Sequence, residues 1–248
     1  MKPAGFWAAL GFLTRLPTPP LAYNEQAARA SLIWYPVIGL LLGIILVGMS
    51  HLFVNMFVNA IILWGVLLVA VWMALTGGLH LDGLADTADA WVGGLGDRER
   101  TLAIMKDPHV GSAALIWVCV FLMAKAAALG GLLQLREFEA LLLAPLWGRM
   151  SPLCLFLSTP YVRPHGLGSP LAGALTGVQV MLVIVAVLTF TAVFATLTET
   201  VALTLAACVI FILYRTWLMV RLGGTTGDTA GAFIEITELT CLLTLLAF

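Results

Sequence analysis

Seven apolar runs, at about 33–54, 60–79, 112–133, 139–158, 176–197, 200–220 and 230–248, take up most of this chain. A bilayer crossing needs about 20 residues at 1.5 Å rise each, and every run has roughly that length. Most of them have no polar face to offer water, which excludes a soluble protein with buried helices. Hydrophobic residues make up 61% of the 248, against roughly 45–50% in a soluble domain. Nothing is left between the runs to build a separate soluble core. The expectation is an all-α, polytopic membrane helical bundle of about seven transmembrane helices, forming one integral membrane domain over 1–248.

The first thirteen residues start basic and continue apolar, as a short signal peptide does. Arg15 and the prolines at 17, 19 and 20 cut that stretch off, and no small-residue cleavage site follows. An additional N-terminal interfacial or re-entrant helix, ended by proline, is expected instead. Cys119, Cys154, Cys208 and Cys241 all fall inside predicted helices without metal-ligand spacing, so they read as small apolar fillers. Gly39-x-x-x-Gly43 marks a close helix-packing face. Such a face serves within a chain or between copies, so a homo-oligomer is compatible with it.

Basic residues orient the bundle. With the N-terminus cytoplasmic, the inner loops hold Lys2, Arg15, Arg29, Arg98, Arg100, Lys106, Arg163 and Arg221, and the outer turns hold only Arg136. That is an inside-positive bias. It places the polar segments 80–109, 160–170 and 221–231 on one face, so the protein is expected in the cell inner membrane with its site toward the cytoplasm.

The segment 80–109 holds six of the thirteen acidic residues. Asp82, Asp86 and Asp89 are four and three residues apart, a stripe about 60° wide on an α-helix. Ala85, Ala88 and Ala90 with Thr87 keep that helix slim. Like charges at this spacing repel, and a divalent cation is the plain remedy. Oxygen-only ligands favour Mg²⁺ or Mn²⁺ over Zn²⁺. A solvated acidic turn would be the plainer assignment, but such turns rarely gather their carboxylates on one face amid alanine and glycine.

Farther on, Met105-Lys-Asp-Pro-His-Val-Gly111 brings a cation, a carboxylate and an imidazole together. Asp107 could complete a metal shell or act as a base, Lys106 could neutralise phosphate, and His109 could move a proton. Snorkelling beside a helix start is the alternative for Lys106 and His109. Gly223, Gly224, Thr225, Thr226, Gly227 and Asp228 form a glycine–threonine loop whose amides and hydroxyls could cradle phosphate. It lacks the Gly-Lys-Ser/Thr of a P-loop. Asp228 suits a metal-facing or hydroxyl-binding role, or an N-cap. Glu235 and Glu238 give the last apolar run a polar face. Lys125 and Arg149 lie deep in predicted spans, where charges face a bundle interior or polar cavity. Arg149 suits phosphate because its planar fork binds two oxygens, whereas Arg215 lies near a membrane edge and can snorkel.

Bunched carboxylates, a divalent ion and basic residues suit transfer of a phosphate-linked group. An ion-coupled transporter is the opposing class, but it would place acids near mid-membrane in broken helices, in two matching halves. Nothing in the pattern points to nucleic acid.

Gly77-Gly-Leu-His-Leu-Asp-Gly-Leu-Ala-Asp-Thr-Ala-Asp89, Met105-Lys-Asp-Pro-His-Val-Gly111, Gly223-Gly-Thr-Thr-Gly-Asp228 and Phe12-Leu-Thr-Arg-Leu-Pro-Thr-Pro19 together resemble the cobalamin synthase family. The resemblance implies a Mg²⁺-dependent adenosylcobinamide-GDP ribazoletransferase of the cell membrane. Its substrates would be adenosylcobinamide-GDP and α-ribazole or α-ribazole 5′-phosphate, and its products adenosylcobalamin or its phosphate and GMP. It implies Asp82, Asp86 and Asp89 as metal-phosphate residues, with Asp107 and Asp228 as further candidates, and Asp107 or His109 as the proton acceptor. The site is also similar to that of CDP-alcohol phosphotransferases, whose pattern is Asp-x-x-Asp-Gly-x-x-Ala-Arg followed by Gly-x-x-x-Asp-x-x-x-Asp. This chain departs from it: Gly83 follows Asp82, Ala90 follows Asp89, no Ala-Arg pair comes next and the final aspartate pair is absent. A lipid head-group transferase is therefore the alternative activity.

Overall fold

The computed structural model describes residues 3–20, 24–57, 59–163, 166 and 168–248. Lys2, counted in the topology, and Pro164, His165 and Leu167 of the proline-rich loop lie outside the described residues. The architecture is all helical. The short N-terminal helix α1 (Pro3–Leu13) ends ahead of the proline cluster, and α2 (Glu25–Ser31) starts behind the Asn24 side chain, which accepts the Gln26 amide. Then come α3 (Tyr35–Met56), α4 (Ile61–Thr76), α5 (Leu79–Gly93), the short α6 (Arg98–Ile104) and α7 (Ser112–Leu135). The chain closes with α8 (Ala140–Ser158), α9 (Gly177–Phe194), α10 (Leu197–Leu222) and α11 (Gly227–Leu246).

Among the described residues, six helices are long and apolar enough to cross a membrane, and seven if α4 and α5 count as one broken span. That pair is bent by 97°. The bend has a local cause: Gly77 and Gly78 both take left-handed backbone angles, φ 66° and 72°, a conformation that penalises a Cβ. The apolar arm α4 and the acidic arm α5 are the two halves of this bent pair.

Burial separates the helices into an inner and an outer set. The apolar windows of α8 and α11 are 83% and 67% buried, those of α9 and α10 only 17% and 11%. Hence α8 and α11 form the centre, while α9 and α10 present Val178, Leu182, Leu205 and Ile212 outward as a lipid-facing surface. Pro145 and Pro152 sit inside α8, which is tolerated where neighbouring helices and local adjustments re-satisfy the freed backbone groups. The Gly39/Gly43 face is used inside the chain. It lies on the backbone of α8 at Pro145 and Leu141, and a Cβ on Gly43 would stand 2.7 Å from the Leu141 carbonyl oxygen.

Backbone cannot move aside as a flexible side chain can. We predict that Gly43→Val lowers stability by about 1–3 kcal/mol, read as a lower thermal midpoint of the detergent-purified protein. An unchanged midpoint would contradict this packing.

Candidate active site

The bundle centre is polar at one place. Lys125 of α7 donates to Glu235 Oε2 at 2.8 Å and to Glu238 Oε2 at 2.5 Å, both on α11. Arg149 of α8, fully buried, forms an ion pair with Glu238 Oε1 and reaches His80 Nδ1 of α5 with Nη2 at 3.4 Å. The Lys125 ammonium also lies 4.0 Å from the centre of the Trp72 ring of α4. Two cations and two carboxylates thus balance and tie five helices together. Arg149, singled out for phosphate, is held in this cluster.

From here α5 runs backbone-to-backbone along α11. A Cβ on Gly83 would stand 2.6 Å from the Asp228 carbonyl oxygen, and one on Gly231 would stand 3.5 Å from the His80 Cα. The glycines bring Asp82 and Asp86 of α5 toward Asp228 in the first turn of α11. Their charges feel one another. Asp86 is half-buried beside Asp82 and Asp228, with Arg163 as an opposing cation. Arg163 forms an ion pair with Asp228 through Nη1. Its Nε and Nη2 are buried and have no partner among the described residues.

The glycine–threonine loop explains how Arg163 gets there. Val162 donates to the Thr225 carbonyl at 2.9 Å and Thr225 to the Pro160 carbonyl at 2.8 Å. Thr226 caps α11, its hydroxyl accepting the Thr229 amide, while its own amide donates to the Thr229 hydroxyl at 2.8 Å. Thr225 and Thr226 are fully buried. The loop thus latches 160–163 onto the start of α11, and of its residues Gly227 and Asp228 reach the adjoining cavity. That cavity has a volume of about 250 Å³. Asp82, Asp228 and Arg163 line it on the polar side, with His80, Phe12, Tyr35 and Phe156 in the remaining wall.

Asp89 has a different set of partners from Asp82 and Asp86. Its two oxygens accept the amides of Gly111 at 2.6 Å and Ala114 at 2.8 Å, capping α7. Asp107 and His109 stand in the exposed segment before that helix and face each other, with Asp107 Oδ1 2.6 Å from His109 Nδ1. Hydrogen bonds from His109, backbone first and then ring, hold the Asp107 carboxyl below its ordinary range. Lys106 is exposed beside them. None of these three lines the cavity. The segments 80–109, 160–170 and 221–231 do meet, through the contacts above and through Arg98 Nε on the Leu222 carbonyl at 2.7 Å.

Residues 5–246 match the family described as Cobalamin-5-phosphate synthase. The chain belongs to this family. A relative in Pseudomonas fluorescens, an adenosylcobinamide-GDP ribazoletransferase, is 47% identical over 247 residues, 98% of each chain. Relatives of the same description in Pseudomonas savastanoi pv. phaseolicola and Stutzerimonas stutzeri are 46% and 47% identical, covering 97% and 95% of this chain and 98% and 94% of theirs. No solved structure matches.

Sequence reasoning gave no site role to Arg163 or His80 and left Lys125, Arg149, Glu235 and Glu238 unpaired. One signal was available. Two intramembrane cations and two carboxylates three residues apart on one helix face are equal in number, and buried charges pair.

The capping role of Asp89 has its own test. We predict that Asp89→Ala, which strips α7 of both acceptors, destabilises the protein by about 1–2 kcal/mol, measured by thermal unfolding. A midpoint equal to wild type would show that the cap is not needed.

Proposed function

We propose that the Asp82–Asp86–Asp228–Arg163 cluster transfers the adenosylcobinamide phosphate group from adenosylcobinamide-GDP to α-ribazole or its 5′-phosphate, releasing GMP. Membership in the family and the names of the relatives support the reaction. The observation that carries the site is the meeting at one cavity of Asp82, Asp228 and a guanidinium with two unused donors, with Asp86 close enough to feel both carboxylates.

The donor set suits Mg²⁺. Among the described residues no group of three or more His, Cys, Asp or Glu converges as a closed metal cage. Mg²⁺ commonly takes only one or two carboxylates and completes its shell with substrate phosphates and water. Asp82 and Asp86, with Asp228 opposite, would hold it, and Asp89 stands next in line on α5. When bound, the ion would neutralise charge developing on the phosphate oxygens.

The protein's own residues supply the rest. Arg163, fixed by Asp228, points a planar fork with spare donors at the diphosphate. The glycine–threonine loop, Gly223, Gly224, Thr225, Thr226 and Gly227, serves the phosphates by holding that arginine and the α11 N-terminus in place. Lys106, exposed outside the cavity, adds a positive charge beside the Asp107–His109 pair. A ribose hydroxyl that is free in both α-ribazole and its 5′-phosphate attacks the phosphorus attached to cobinamide, a new P–O bond forms, and the bond to the GMP oxygen breaks. The proton leaving the hydroxyl is passed out of the cavity to the Asp107–His109 pair, which stands exposed outside it. Asp89 tethers this pair to the acidic helix through Gly111. The excess of basic residues on the site's side supports a cytoplasmic-facing site in the inner membrane.

Singly changing Asp82 or Asp86 to Asn should lower GMP release by at least about 100-fold, the order seen when a group acting in the transition state is removed. The assay uses purified protein, adenosylcobinamide-GDP, α-ribazole and Mg²⁺, with monodispersity as the control for folding. Wild-type rates in both variants would sink the assignment. Turnover of a CDP-alcohol with none of the corrinoid would favour the lipid head-group transferase instead.

A further inference from the structure

The buried charge chain ends on an imidazole, and this fixes which nitrogen of His80 carries its proton. A guanidinium has donors only. Arg149 Nη2 therefore needs a lone pair on His80 Nδ1, 3.4 Å away, and the ring hydrogen must sit on Nε2. His80 is 3% exposed. Its Nε2 is buried and has no partner among the described residues, yet His80 belongs to the wall of the 250 Å³ cavity. A buried donor without an acceptor is rare in a folded protein, and an occupant of that cavity can supply one.

The cavity wall says which part of a substrate this is. Phe12, Tyr35, Phe156 and Leu171 make it apolar and largely aromatic, with Asp82, Arg163 and Asp228 set apart as the charged group. A phosphate would face the arginine. A guanine would bring several donors and acceptors to a wall that offers few. The base of α-ribazole, a dimethylbenzimidazole, is a flat apolar bicycle with one free ring nitrogen, an acceptor, and no N–H.

We propose that His80 selects the acceptor substrate by donating its Nε2–H to the free ring nitrogen of the benzimidazole, with the aromatic wall enclosing the bicycle. This rests on the ribazoletransferase assignment above and adds the place where its acceptor base is held. The Lys125–Glu238–Arg149 chain then has a role in recognition: it holds the tautomer that can donate.

The test pairs a chemical change in the substrate with a change in the protein. In the ribazole analogue whose free ring nitrogen is replaced by C–H, the acceptor is lost and the shape kept. Wild-type protein should use it with kcat/KM about 10-fold lower, the size of one neutral hydrogen bond, the loss falling on KM for the acceptor and not on KM for adenosylcobinamide-GDP. His80→Phe should treat ribazole and the analogue alike, and His80→Gln, which keeps an N–H donor, should regain discrimination. Equal use of both acceptors by wild type would overturn the proposal without any variant. Discrimination undiminished in His80→Phe would overturn it too. Absence of GMP release by wild type with either acceptor would instead bring down the ribazoletransferase assignment, and this inference with it.

Discussion

Two cations and two carboxylates meet in the middle of an apolar bundle, and the other features of the structure are arranged around them. In surroundings with little water, an ionised side chain is tolerated only with partners, and removing one member of such a pair costs about 3–5 kcal/mol because the survivor is left unpaired. Lys125, Glu235, Glu238 and Arg149 come from α7, α11 and α8, with His80 of α5 and Trp72 of α4 against them. Helices that could otherwise slide along featureless apolar faces are thereby given a register. Glycine does the complementary work, letting α3 close on α8 and α5 close on α11.

The register decides the chemistry. Once His80 is tied to Arg149 and Gly231 lies on α5, Gly83 meets Asp228, and the carboxylates of α5 face the first turn of α11. The pairing of Val162 with Thr225 then delivers Arg163 to the same place. Each of these contacts joins segments far apart in the chain. The result is a cluster with excess negative charge, a guanidinium with donors to spare, and an aromatic cavity beside them. That combination suits the diphosphate of one substrate and the apolar base of the other, held side by side.

Much of the fold was legible because membrane helices are written in length and composition. The expected run at 33–54 is α3 at 35–56, and 139–158 is α8 at 140–158. The break at Gly77-Gly78 was visible too, since consecutive glycines after an apolar run end a helix. The 97° angle was not, because it depends on the left-handed angles both glycines adopt. Helical periodicity put Asp82, Asp86 and Asp89 in one stripe, but it says nothing of what lies opposite. Asp89 meets the amides of α7, which only tertiary structure places there. Arg149 looked like a phosphate ligand in isolation; its partner Glu238 is 89 positions away. Arg163 passed as one more basic loop residue for the same reason.

The central claim is that the diphosphate of the nucleotide-activated donor lies between Arg163 and the carboxylates of α5 and α11. A cryo-electron microscopy map of the full chain with adenosylcobinamide-GDP bound in the absence of acceptor tests it most directly. The account predicts diphosphate density within hydrogen-bond reach of Arg163 Nε and Nη2, beside Asp82 and Asp86. Diphosphate density seated instead at Lys106 and His109, with Arg163 making no contact to it, would contradict the account.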